Sequence, residues 1–70
     1  MAEVRAEMVA NVWRVVVAEG DQVSEGDTLV ILESMKMEIP VLAEDSGTVT
    51  KLHVAEGDVV QEDDLIAVID

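Results

Sequence analysis

The sequence predicts an all-β fold, a flattened barrel or sandwich of two quasi-symmetric halves made from about seven or eight short strands. Three observations lead there. Half of the 70 residues are apolar, yet Trp13 is the one aromatic, so a core must come from Val, Ile, Leu, Ala and Met, which suit a thin β interior. Apolar residues alternate or form short continuous runs, and no helical period is sustained. Finally, the chain repeats itself: residues 12–33 align without a gap on residues 49–70, a constant offset of 37, with nine of twenty-two positions identical. Two copies are too few for a solenoid, so the halves must bury their faces against each other.

Each half reads strand, turn, short strand, strand. Val15 and Val17 alternate as inward positions, and Trp13 shares their parity, so it is expected to be partly buried packing. Glu19-Gly20-Asp21 is a turn signal, with glycine free to take positive φ and the aspartate able to bond its own backbone. Thr28 to Glu33 and Glu38 to Leu42 are two strands joined by the tip Ser34-Met35-Lys36-Met37. Pro40 cannot donate to a ladder, which sets its strand at an edge or a bulge. Ser46-Gly47 opens the second half. There Leu52 and Val54 point inward, while Lys51 and His53 face water. Glu56-Gly57-Asp58 repeats the turn, and Leu65 to Ile69 is a continuous run of a doubly buried strand.

Seventy residues leave room for one domain, residues 1–70, and the net charge of −12 bounds its partners. Such a surface repels phosphate backbones and anionic headgroups, so neither nucleic acid nor a membrane is an expected partner. The chain has no cysteine, which removes disulfides, thiolate metal sites and cysteine nucleophiles. No apolar run is long enough to span a bilayer, and a soluble cytoplasmic protein, monomeric on its own, is the expectation. No catalytic constellation is expected. His53 stands without a nucleophile or second ligand, and Glu62-Asp63-Asp64 lacks the alternating ligands and distal Glu of a calcium loop, so no metal is assigned.

The tip is the informative segment. Tight hairpins favour Gly, Asn or Asp where φ is positive, and here the centre is Met-Lys. That choice points to a tip selected for its side chains. Exposed methionines offer flexible apolar contact to a partner, and Lys36 is one of only two lysines.

Glu33-Ser34-Met35-Lys36-Met37-Glu38 resembles the biotin attachment motif of the biotinyl/lipoyl carrier domain family, whose centre is Met-Lys-Met with the modified lysine in the middle. The resemblance extends over nearly the whole chain: the length, the two halves, a Gly-Asp turn in each, and Gly47-Thr48-Val49 after the hairpin. It implies the barrel-sandwich hybrid fold, without the thumb insertion, since Asp21 to Thr28 leaves no room for one. The sequence departs from the family pattern at Ser34, where alanine is usual, at Glu7-Met8-Val9-Ala10, where a Pro-Met-Pro-Gly turn is common, and at Glu44, where proline is frequent.

The resemblance implies a carrier and not a catalyst. A biotin protein ligase would attach biotin covalently to Lys36, and the cofactor would shuttle carboxybiotin between biotin carboxylase and carboxyltransferase sites. Met35 and Met37 would be flanking recognition residues, with Ser34, Glu33 and Glu38 contributing to ligase recognition. A lysine is an ammonium at neutral pH and a poor nucleophile, so activation falls to the ligase. A lipoyl-type or unmodified interaction module of the same fold is the alternative, although the lipoyl branch carries Asp-Lys-Ala where this chain has Met-Lys-Met.

Overall fold

A computed structural model describes residues 2–70. Eight strands follow one another: β1 (Ala2–Arg5), β2 (Ala10–Val15), β3 (Gln22–Val23), β4 (Thr28–Ser34), β5 (Met37–Leu42), β6 (Gly47–Leu52), β7 (Val59–Val60) and β8 (Leu65–Ile69). They form two four-stranded antiparallel sheets, ordered β1-β8-β6-β3 and β5-β4-β2-β7. The predicted all-β sandwich is the observed fold.

The offset of 37 seen in the sequence is carried by the strands themselves. β2 and β6 are equivalent, as are β3 and β7 and the start of β4 and β8. Ile39 to Leu42 of β5 is equivalent to β1 by the same offset, so the structural repeat runs past the segment in which identities are visible. The halves are also interlocked. β3 leaves its own half to pair with β6, and β7 leaves its half to pair with β2. Hydrogen bonds across the exchange come in matched pairs: Gly20 N–H to the Val49 carbonyl at 2.8 Å, and Gly57 N–H to the Val12 carbonyl at 2.9 Å. Each half completes the other's sheet, so the faces of one repeat are covered only in the presence of the other.

The turns follow their sequence signals. Gly20 and Gly57 take φ of 95° and 93°, a region costly for a side chain. One residue on, Asp21 and Asp58 each accept the N–H of the residue three positions earlier, Ala18 and Ala55, at 2.9 Å. Asp27 and Asp64 do the same for Ser24 and Gln61 at 2.8 Å. The acidic run ending in Asp64 is thus a turn, closed by its last carboxylate.

The interior is aliphatic throughout. Leu29, Ile66, Ile69, Val12, Val30, Val49 and Val60 are the largest fully buried side chains, and among the described residues no polar or charged side chain is buried. One cluster gathers Val12, Val30, Leu32, Val60 and Ile66; the other gathers Val23, Leu29, Val49 and Ile69. At roughly 1.5–3 kcal/mol for burying each large aliphatic side chain, these contacts carry the fold.

Trp13 departs from the expectation. It is exposed, at 43%, and does not share the inward parity of Val15 and Val17. The cause is a β-bulge. Val12 pairs with Leu32 and Arg14 with the adjacent Ile31, so Trp13 is the extra residue and the alternation is reset after it. The equivalent bulge in β6 falls at Thr50, between Val49 and Lys51. Leu52 and Val54 pack against the core and Lys51 and His53 lie in water, as the alternation predicts. Pro40 lies on β5, an edge strand, also as expected.

Candidate functional site

The β4-β5 hairpin is paired as far as Ser34 with Met37, leaving Met35 and Lys36 as a two-residue turn. Both have positive φ, 53° and 65°. That is the type I′ arrangement, whose twist matches the flanking strands and which normally selects Asn-Gly. Neither methionine nor lysine relieves the steric cost of left-handed backbone, of order 1 kcal/mol per residue. The strand register enforces the conformation: β4 is held by β2 on its other side over four further pairs. A rigid sheet therefore holds two ill-suited residues in a sharp turn.

The side chains at this tip project away from the fold. Met35 is 92% exposed and Met37 64%, and Lys36 is exposed between them. Among the described residues the recorded ion pair is Arg5 with Glu3, and the Lys36 amine takes part in none. Below the turn, Ser34 is half-buried, and Glu33 faces Glu38 as a directly opposed cross-strand pair. The six residues singled out in the sequence are thus one contiguous end of the molecule. A groove of about 510 Å³ lies elsewhere, between edge strands β1 and β5, and is lined by Val4, Leu32, Ile39, Val41 and Ile69 among others.

Two features here were invisible to sequence alternation. Trp13 and Arg14 lie on the outer face of the tip-bearing sheet, with the Arg14 guanidinium 5.1 Å from the indole centroid. A bulge that resets the period leaves no mark in a period-two pattern. The second is a pair of long-range bonds. Glu19 Oε2 accepts the Leu52 N–H at 3.0 Å, and Glu56 Oε2 lies 3.5 Å from the Val15 nitrogen.

A sandwich that holds one lysine amine out on a turn of two left-handed residues, between two exposed methionines, has the build of a domain that presents a side chain. The family described as biotin-requiring enzyme matches residues 2–69, and the chain belongs to this biotin/lipoyl attachment family.

The similar proteins include small ones and a segment of a much larger one. The chain is 80% identical over 44 residues to the "Biotinylated protein TB7.3 homolog" of Mycolicibacterium smegmatis, spanning 61% of this chain and 62% of that protein. It is 52% identical over 46 residues to the "Biotin/lipoyl attachment protein" of Bacillus subtilis, spanning 66% of this chain and 63% of that protein. These alignments thus span somewhat under two thirds of each relative's length. In three dimensions, part of the Kluyveromyces lactis urea carboxylase superposes with a TM-score of 0.92 at 40% identity, covering 99% of this chain and 6% of that one.

Proposed function

We propose that this protein is a biotin carrier in which Lys36 is the attachment point, serving as a carboxyl carrier between biotin carboxylase and carboxyltransferase sites. The observation that carries the reading is the tip itself: Lys36 exposed at the centre of a turn whose two residues both have positive φ, with Met35 and Met37 exposed on either side. The relatives named as biotinylated proteins support biotin over lipoate, as does the Met-Lys-Met tip.

The residues fit the group. Among the described residues the Lys36 amine forms no ion pair, and Lys36 is exposed between the exposed Met35 and Met37. Attachment by a biotin protein ligase forms an amide between Nζ and the biotin carboxyl carbon; AMP leaves from the activated carboxyl and the amine gives up a proton. Once bound, the cofactor supplies a ureido nitrogen that takes up and releases a carboxyl group. The chain's own part is positional: β4 and β5 fix the direction of the arm, and the lysine side chain supplies its reach. Met35 and Met37 give enclosing partners soft apolar contacts that adapt to more than one site.

Coexpression with a biotin protein ligase, followed by intact mass and avidin capture, tests this reading. One biotinyl group per chain, lost in Lys36→Ala, is the expected result. Capture of Lys36→Ala at the wild-type level, or a wild-type chain that gains no biotin, would overturn it.

A further inference from the structure

The two halves supply an internal control for what the fold requires of its surface. Each sheet has an outer face, and the offset of 37 maps one onto the other. Around the bulges, Trp13 corresponds to Thr50 and Arg14 to Lys51; on the short exchanged strands, Val59 corresponds to Gln22; on the edge strands, Pro40 corresponds to Glu3. One outer face is thus Thr, Lys, Gln and Glu, while its counterpart is Trp, Arg, Val and Pro; the cation is common to both, and the other three positions change from polar to apolar. Trp13 and Val59 are 43% and 63% exposed, so the apolar character does not go into the core. The polar face shows that the fold stands without it.

The apolar face is also the one that carries Lys36. Cross-strand pairing puts Val59, Asn11, Glu33 and Glu38 in one row across β7, β2, β4 and β5, next below the Ser34–Met37 pair that closes the turn. The next outward row is the Trp13-Arg14 bulge with Ile31 and Pro40, roughly 7 Å further from the tip at the usual rise per residue. A protein that grips Lys36 from this side meets two carboxylates first and an indole behind them.

We infer that this outer face is the docking surface for the ligase that modifies Lys36, an inference that rests on Lys36 being the biotin acceptor. The partner's surface has a defined chemistry: basic residues beside its acyl-transfer cleft, facing Glu33 and Glu38, an apolar contact for Val59 at the far end of the same row, and a recess about two residues deeper that receives Trp13. Charge complementarity favours it, since the row beside the lysine is a carboxylate pair on a chain of net charge −12. Trp is also the side chain most enriched at the energetic centre of interfaces. The face further explains selection between two lysines. Lys51 is exposed on the polar sheet, paired opposite Val68, with no indole or valine of this kind at the equivalent places.

The test uses the intact chain and a purified biotin protein ligase in steady state. Trp13→Thr and Val59→Gln install the residues that the other face tolerates at the same positions. Each is expected to raise KM about tenfold with kcat little changed, and added salt should raise the wild-type KM. Gln22→Ala, on the opposite face, should leave KM unaltered. Thermal unfolding midpoints identify any variant that has merely lost its fold; if Trp13→Thr does, Val59→Gln decides. Wild-type KM in the folded variants overturns the assignment. Wild-type KM combined with loss of a sedimenting dimer in Trp13→Thr would overturn it in favour of a second copy as the occupant. A wild-type chain that the ligase never modifies would defeat the carrier reading itself, and this inference with it.

Discussion

Gly26 and Asp63 hold equivalent positions in the two halves, with φ of 92° and 73°. Each donates its N–H to the carbonyl of a buried alanine at 2.8 Å, Gly26 to Ala43 and Asp63 to Ala6. The left-handed turn is common to both halves, while the glycine that suits it is present in one. Asp63 adopts the conformation because its backbone bonds demand it.

Asp63→Gly is therefore expected to stabilise the protein. Left-handed backbone costs an ordinary residue about 1–2 kcal/mol, aspartate somewhat less, and glycine returns part of the gain through its freer unfolded state. A net gain of about 0.5 kcal/mol, seen as a rise of a few degrees in the thermal midpoint, is the expected outcome. The Arg5 bond to the Asp63 carbonyl at 2.8 Å is to backbone and survives the change. The reverse change, Gly26→Asp, should lower the midpoint.

The same argument at the hairpin has the opposite functional sign. Replacing Met35-Lys36 by Asn-Gly gives the turn the residues its two positive φ values favour. We expect a gain of about 1–2 kcal/mol in unfolding free energy by urea titration, with complete loss of biotin acceptance. A variant no more stable than wild type would show that the tip carries no strain.

The halves, the turns and the tip could be read from the sequence because each is a local pattern. The offset of 37 is a direct comparison of side chains, Gly-Asp names a turn, and Met-Lys stands out where Asn-Gly belongs. Trp13 could not be placed, because the bulge between Val12 and Arg14 is set by pairing with a strand that lies far along the chain. The exchange of β3 and β7 was hidden for a related reason. Two-residue strands such as Gln22–Val23 carry too little alternation to show their partners.

That exchange exposes the nitrogens that Glu19 and Glu56 serve. β7 pairs with Ala10 and Asn11 only, so the Val15 N–H lies beyond its reach; β3 similarly pairs with Thr48 and Gly47, leaving the Leu52 N–H unladdered. Glu19 reaches Leu52 at 3.0 Å, while the equivalent Glu56 contact with Val15 is at the limit, 3.5 Å. Hydrogen-bond strength falls off over this range. Glu19→Ala should therefore cost about 1 kcal/mol and Glu56→Ala under about 0.5 kcal/mol, a difference that paired urea titrations resolve. Equal losses would mean that the two sites are occupied alike in solution.

Glu33 and Glu38 face each other directly across β4 and β5, a like-charge pair that a sheet does not choose for stability. Removing one charge should relieve it. Glu38→Gln is expected to raise stability by about 0.2–1 kcal/mol at low ionic strength, and the advantage should shrink as salt is added. If the pair is kept to meet a basic surface beside Lys36, the same substitution slows biotinylation while the fold gains. The two readouts must then move in opposite directions. A variant that gains stability with an unchanged rate would assign Glu38 to solubility alone, and one that loses both would show that the pair is held by contacts within the fold.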